Sequence, residues 1–252
     1  MAWTEEKITV LVKACPTWSQ KLGKYTICTG GINEKGEWRR IYPMPQPVVM
    51  EKQISLWNVI KVQVSEETSD PRKETRLIKP ESIVDLGPEL KTREQKRAFI
   101  AKHTDVSLNN PSKNRTCCII KPQLIDLEVI KRKPAFSQAT LYGGVFKKNP
   151  YEDIGLFYTF CCENRCQICQ NQPHRMECFD WGANYLFRRY DDETIAAQKV
   201  REMGFTRMTT ENELWFVMGT HRKYPFLHWL LVGVLWMKRE VKNEGGGRQC
   251  VL

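Results

Sequence analysis

The stretch from Phe160 to Trp181, FCCENRCQICQNQPHRMECFDW, constrains this chain more than any other. Cys162, Cys166, Cys169, His174 and Cys178 crowd into it, and a segment built only for packing has no need of so many soft or borderline ligands. From Cys166 to Cys178 the spacing is C-x2-C-x4-H-x3-C, one residue short of the zinc-knuckle pattern, and a C-x2-C pair lets two thiolates converge on one cation from a tight turn. Zn(II) is therefore the expected metal. Cys162, Cys166 and Cys169 also spell C-x3-C-x2-C, the spacing with which radical enzymes hold an iron–sulfur cluster with one open iron. That cluster is the alternative cofactor. Such a motif normally sits early in a long βα-repeat chain, whereas here only the last third of the sequence follows it. The plain reading beside both is a set of reduced thiols, free Cys being among the most buried residue types.

Whether ten cysteines mean ligands or disulfides depends on the compartment. The opening Met1-Ala-Trp-Thr-Glu-Glu carries acids where a secretory leader carries bases, and the longest apolar run, Phe226 to Met237, contains His228 and is too short to span a bilayer. A cytoplasmic protein with no membrane partner is expected, and there cysteines serve as metal ligands or buried thiols. Cys250 stands one place away from a prenylation box, and the Gly245-Gly246-Gly247 tail reads as disordered. A formal charge of +10 over 252 residues attracts polyanions, so nucleic acid, DNA or RNA, is the expected partner. Solvated Lys faces give the same charge without one.

Ahead of the cysteines the chain alternates like a sheet. Lys7 to Lys13 places Ile8, Val10 and Val12 on one face, Tyr25 to Ile32 follows, and Asn33-Glu34-Lys35-Gly36 supplies the turn into Glu37 to Tyr42. Pro43, Pro45 and Pro47 are expected to stop that ladder. On the third strand Trp38, Arg40 and Tyr42 share a side, a face suited to base stacking and phosphate pairing, or to an ordinary aromatic pair with a snorkelling Arg. Trp57 to Val64 reads as another strand. Asp70, Arg72 and Glu74 alternate in the polar segment after it and would form a charge network. Thr92 to Gln95 is a capping box opening a helix to about His103, and Cys117 to Ile120 and Leu124 to Val129 read as short strands. Between them Asn109 to Arg115 is a polar loop. Lys131 to Pro150, rich in Lys, Pro and Gly, reads as a connection.

In the second half, Leu156 to Phe160 is an apolar strand, and Pro173 is expected in the first turn of a helix that buries Phe179, Ala183, Leu186, Phe187 and Tyr190. That helix would put His174 and Cys178 one turn apart on a common face. Asp191 or Asp192 caps a further helix ending near Gly204. Glu213 to Met218 and Phe226 to Trp236 are strand-like, the latter apolar on both faces and so expected at a sheet centre. The fold class is α+β: a β-rich, barrel-like domain over 1–135, then a smaller α+β metal-binding domain over 136–252.

Trp38-Arg39-Arg40-Ile41-Tyr42-Pro43, Asp70-Pro71-Arg72-Lys73-Glu74, the Phe-x-Cys entry at Phe160, His174, Asp180-Trp181 and Phe216-Val217-Met218-Gly219-Thr220 together resemble an uncharacterised prokaryotic protein family through most of the chain. Its pattern reads W-x-R-x-Y-P, D-x-R-x-E-S, F-x-C, C-x-G-H and D-W. Here the C-x-G-H is stretched to Cys169-Gln170-Asn171-Gln172-Pro173-His174, and Thr75 stands for the Ser. The resemblance implies that Cys162, Cys169 and His174 are ligands and leaves the fourth open between Cys166 and Cys178. It implies no activity.

Two function classes follow. One is a nucleic-acid-binding protein with a structural metal and a contact surface drawn from Trp38, Arg40, Tyr42, Arg72 and the polar turn His221-Arg222-Lys223. The other is a metal-dependent enzyme, zinc or iron–sulfur, acting on nucleic acid or a nucleotide, with Asp180, Asp70 or Glu74 as acid–base group. No P-loop, G-x-G-x-x-G turn or nucleophile elbow occurs, so ATP, dinucleotide and serine-hydrolase chemistry have no support.

Overall fold

The computed structural model describes residues 2–19, 22–109, 115–132 and 154–240. Most of the expected connection (133–150), the tip of the polar loop (110–114), the glycine tail and Cys250 lie outside the described residues.

The first half closes on itself as a barrel. Its walls are β1 (Thr4–Lys13), β3 (Lys24–Asn33), β4 (Trp38–Pro45), β5 (Asn58–Ser65) and β6 (Thr75–Ile78), with β2 (Thr17–Ser19) paired onto β3 and β7 (Val84–Pro88) onto β5. The order β1-β3-β4-β6-β5 returns to β1 through the antiparallel β1–β5 ladder, and β4–β6 is the one parallel pair of the ring. Counted along the chain, the wall strands close as 1-2-3-5-4-1, the Greek-key connectivity of oligonucleotide- and oligosaccharide-binding barrels. Connectivity alone carries no function. The alternation read at Ile8 and Val10 points both into the barrel with Ile27, Ile41, Ile60, Val62 and Val64. A bulge between Val10 and Val12 then turns Leu11 and Val12 toward a different layer. Pro43 and Pro45 do not stop β4: the ladder slips by a bulge between Ile27 and Thr29, and Met44 and Pro45 still pair with Ile27 and Thr26. Helix α1 (Gln46–Glu51) with Pro47 in its first turn crosses the end of the barrel. The capping box at Thr92 opens α2 (Arg93–His103), with both reciprocal hydrogen bonds present.

The second half stacks two sheets against the outside of that barrel. A four-stranded sheet runs β14 (Tyr224–Lys238), β13 (Asn212–His221), β9 (Cys117–Ile120), β8 (Thr104–Asp105), and a three-stranded one runs β10 (Pro122–Lys131), β11 (Ile154–Cys162), β12 (His174–Glu177). The larger sheet is buried on both faces, and its sequence shows why. Trp215 and Val217, with Cys117 and Ile119, face the barrel, whereas Leu214, Phe216 and Met218, with Cys118 and Ile120, face the smaller sheet. Strand β14 is apolar on both sides for the same reason, although it is an edge strand and not a central one. Covering a strand above and below demands as much apolar surface as pairing it on both edges. Asp192 caps α5 (Glu193–Arg201), which runs through a wide π-type turn at Glu202–Thr206 into α6 (Arg207–Thr210). No helix among the described residues is long and apolar enough to cross a membrane.

Candidate metal centre

Strand β11 carries its inward residues at period two, Leu156, Tyr158 and Phe160, and ends on Cys162. Cys166 stands at the N-cap of the short helix α3 (Gln167–Asn171), Cys169 lies within it, and the chain returns to pair His174 with Phe160 at the start of β12. The turn and one helical coil thus bring four ligands back over the end of one strand. Their ligand atoms all lie within 4.8 Å of one another, and all four residues are buried. His174 Nε2 is 3.1 Å from the Cys166 sulfur and 3.7 Å from that of Cys162, and the Cys166 and Cys169 sulfurs are 3.4 Å apart. The backbone N–H of Cys162 donates to the Cys169 sulfur at 3.3 Å, a second tie that orients this sulfur toward the group. Burial holds His174 below the ordinary imidazole value, so the ring offers a neutral lone pair. Burial pushes the Cys162 thiol up to about 12, a preference for the neutral form that a bound cation reverses. This buried Cys3His group can hold a metal ion.

Cys178 is not in the group. The expected helix through Pro173 is absent: residues 174–177 are a strand, and helix α4 (Trp181–Phe187) begins only after Asp180 caps it. In a helix four residues advance the chain by about 6 Å, but in a strand by roughly 13 Å, so the structure carries Cys178 away along β12. Its N–H meets the Leu156 carbonyl, at the other end of β11 from Cys162.

Asp180, the leading acid–base candidate, is no metal neighbour either. Its carboxylate accepts from the N–H of Ala183 at 2.9 Å and from that of Val234 at 3.2 Å, and burial raises its pKa above the usual carboxylate range despite these bonds. Asp70 and Glu74 are also committed elsewhere. Asp70 grips Arg72 through both oxygens, and Arg72 reaches on to the Thr220 carbonyl. Glu74 accepts from both the N–H and the hydroxyl of Thr116, and Arg40 donates to the carbonyl of Thr116 and the sulfur of Cys117, both at 3.0 Å. Trp38 packs in the same layer with Cys117 and Val217. The W-x-R and D-x-R-x-E motifs therefore fasten the barrel to the larger sheet. The face expected to stack bases is closed: Trp38 and Arg40 are buried because β9 and β13 lie over them, and of the three only Tyr42 is exposed. Arg72 is drawn into the same seam. His221, Arg222 and Lys223 are exposed, with Arg222 donating to Ser69. Thr116, the partner of Arg40 and Glu74, carried no pattern in the sequence that could have singled it out, and Thr220 stood out only as the end of the Phe216-Val217-Met218-Gly219-Thr220 motif.

Residues 4–102 match a family model described as a domain of unknown function, DUF8758, and residues 108–250, more than half the chain, match a second, DUF8757. The chain belongs to the DUF8757 family. All four residues of the Cys3His group and Asp180 fall within that match, and the barrel falls within the first. No curated protein matches the chain.

Proposed function

We propose that Cys162, Cys166, Cys169 and His174 hold one Zn(II) in a closed structural site, in a protein that binds nucleic acid. The separation of the four ligand atoms supports the ion. Around a tetrahedral zinc with Zn–S of about 2.3 Å and Zn–N of about 2.0 Å, ligand atoms stand roughly 3.5–3.8 Å apart, and those of this group all lie within 4.8 Å of one another. A four-iron, four-sulfur cluster, the kind that the C-x3-C-x2-C spacing suggests, sets each thiolate on a different iron and needs them further apart. With three sulfurs and one nitrogen filling a tetrahedron, no position is left for a substrate, which favours a structural over a catalytic role. Bound zinc would tie the end of β11 to α3 and β12, and its binding energy would be folding energy. Purified protein should be colourless with one zinc per chain, and Cys169→Ala should lose the metal and melt at lower temperature. Unchanged metal content and melting in that variant, or a brown protein rich in iron, would remove the assignment.

The partner rests on different ground, the net charge of +10 and the exposed His221-Arg222-Lys223 turn. Binding through phosphates releases counterions, so affinity should fall steeply with salt, and Arg222→Ala with Lys223→Ala should cut the logarithmic slope by about two. Failure to bind DNA or RNA at about 50 mM salt would exclude this partner.

A further inference from the structure

A cavity of about 480 Å³ opens where α1 and the 52–56 loop, at the end of the barrel, meet the start of α4. Its volume falls within the range of small-molecule sites, about 300–1,000 Å³. Val49, Ile54 and Leu56 from the end of the barrel and Trp181 and Tyr185 from α4 give it its apolar lining. Two charged groups line it among these: Lys13 at the last position of β1 and Asp180 at the cap of α4. Neither metal nor nucleic acid, as read above, uses it.

The two charges are arranged as a divided pair. Each acts on the other electrostatically, yet among the described residues Lys13 has no carboxylate within salt-bridge distance. Lys13 Nζ donates to the Ile54 carbonyl at 2.8 Å and lies 5.5 Å from the centre of the Trp181 ring. An ammonium has three N–H donors, so it keeps capacity for another acceptor. Asp180 Oδ1 accepts from the Ala183 N–H and Oδ2 from that of Val234, and the Gly182 N–H also bonds the carboxylate, which leaves one of its four lone pairs for a ligand. The adjoining loop is held in costly backbone: Gln53 has φ +50° and Trp57 φ +73°, conformations a bulky side chain rarely adopts and that gather at ligand sites. Backbone bonds from Ile54 N–H to Val49 and from Trp57 N–H to Val10 maintain them.

We propose that this cavity binds a planar heteroaromatic molecule bearing a lactam edge, its carbonyl accepting from Lys13, its ring N–H donating to Asp180 and its ring lying against Trp181. A lactam presents an acceptor and a donor side by side, the complement of the divided pair, and it is neutral, as the pair is in sum. A carboxylate would meet Asp180 with like charge, and an amine would meet Lys13 so.

Titration calorimetry with 2-quinolinone, which has the lactam, and 2-methoxyquinoline, which keeps the rings but lacks the N–H, tests the assignment on the full chain. The quinolinone should bind at least tenfold more tightly. Lys13→Met should weaken it at least tenfold and leave the methoxy compound unaffected. Met50 lines the mouth and is 60% exposed, so Met50→Trp should abolish binding of the quinolinone at unchanged melting temperature. This variant tests the site even where Lys13→Met fails to fold. Equal affinity for the two compounds, no binding of either, or full quinolinone binding by Met50→Trp would overturn the proposal.

Discussion

Asp70 shows how a residue expected to do chemistry is spent on structure. Burial by itself would raise its pKa, but the side-chain and backbone hydrogen bonds from Arg72, with that residue's charge, bring it below the ordinary carboxylate value. A depressed folded-state pKa means that the unfolded chain binds the proton first. The stability this carboxylate contributes is thus complete above its unfolded value of about 4 and is lost as the pH falls through the lower folded value. Asp70→Asn should remove the contribution at neutral pH and flatten the loss of stability below about pH 4, as followed by urea melts across that range. An unaltered slope would show that the acid limb belongs to other groups. Cys178 teaches the same lesson in reverse: its type and spacing suit a ligand, and only its place just past the end of β12 takes it out of the Cys3His group.

At the scale of elements, the closure of the barrel depends on how nearly β3 approaches β1. A Cβ at Gly31 would stand 2.0 Å from the Thr9 carbonyl oxygen, which is backbone and cannot yield, whereas one at Gly30 would find its nearest neighbour at an ordinary 3.5 Å. Gly31→Ala should therefore destabilise by about 3 kcal/mol, at the upper end of overpacking costs, and Gly30→Ala by less than about 1 kcal/mol. Thermal melts of the two variants decide it, and equal losses would mean that the ladder can shift. The helix expected through Pro173 failed for a reason of the same scale. The apolar residues after it suit a helix, but residues 174–177 can pair with the open edge of β11, and that tertiary partner overrides a local pattern.

Across the whole molecule, the layer between barrel and larger sheet is the joint. Trp38, Leu11, Val12 and Ile32 on the barrel meet Cys117, Ile119, Trp215 and Val217 on the sheet, with the Arg40, Glu74 and Thr116 bonds beside them. Trp38→Ala should cost about 3–5 kcal/mol, as large-to-small core changes do, with nucleic-acid affinity of the folded variant unchanged. Normal stability together with weakened binding would return Trp38 to the contact surface. What local chemistry governs was legible in the chain: strands from period-two alternation, the α2 cap from Thr92 and Gln95, and the Cys3His group from a C-x2-C turn with a nearby His. Tertiary structure decided which of two candidate cysteines joins the Cys3His group, that Trp38 and Arg40 face a sheet and not solvent, and that Lys13 and Asp180 line one cavity. The cysteine choice turned on whether residues 174–177 pair as a strand, and the other two on partners far apart in the chain, where a side chain's type does not say which distant surface will come to cover it.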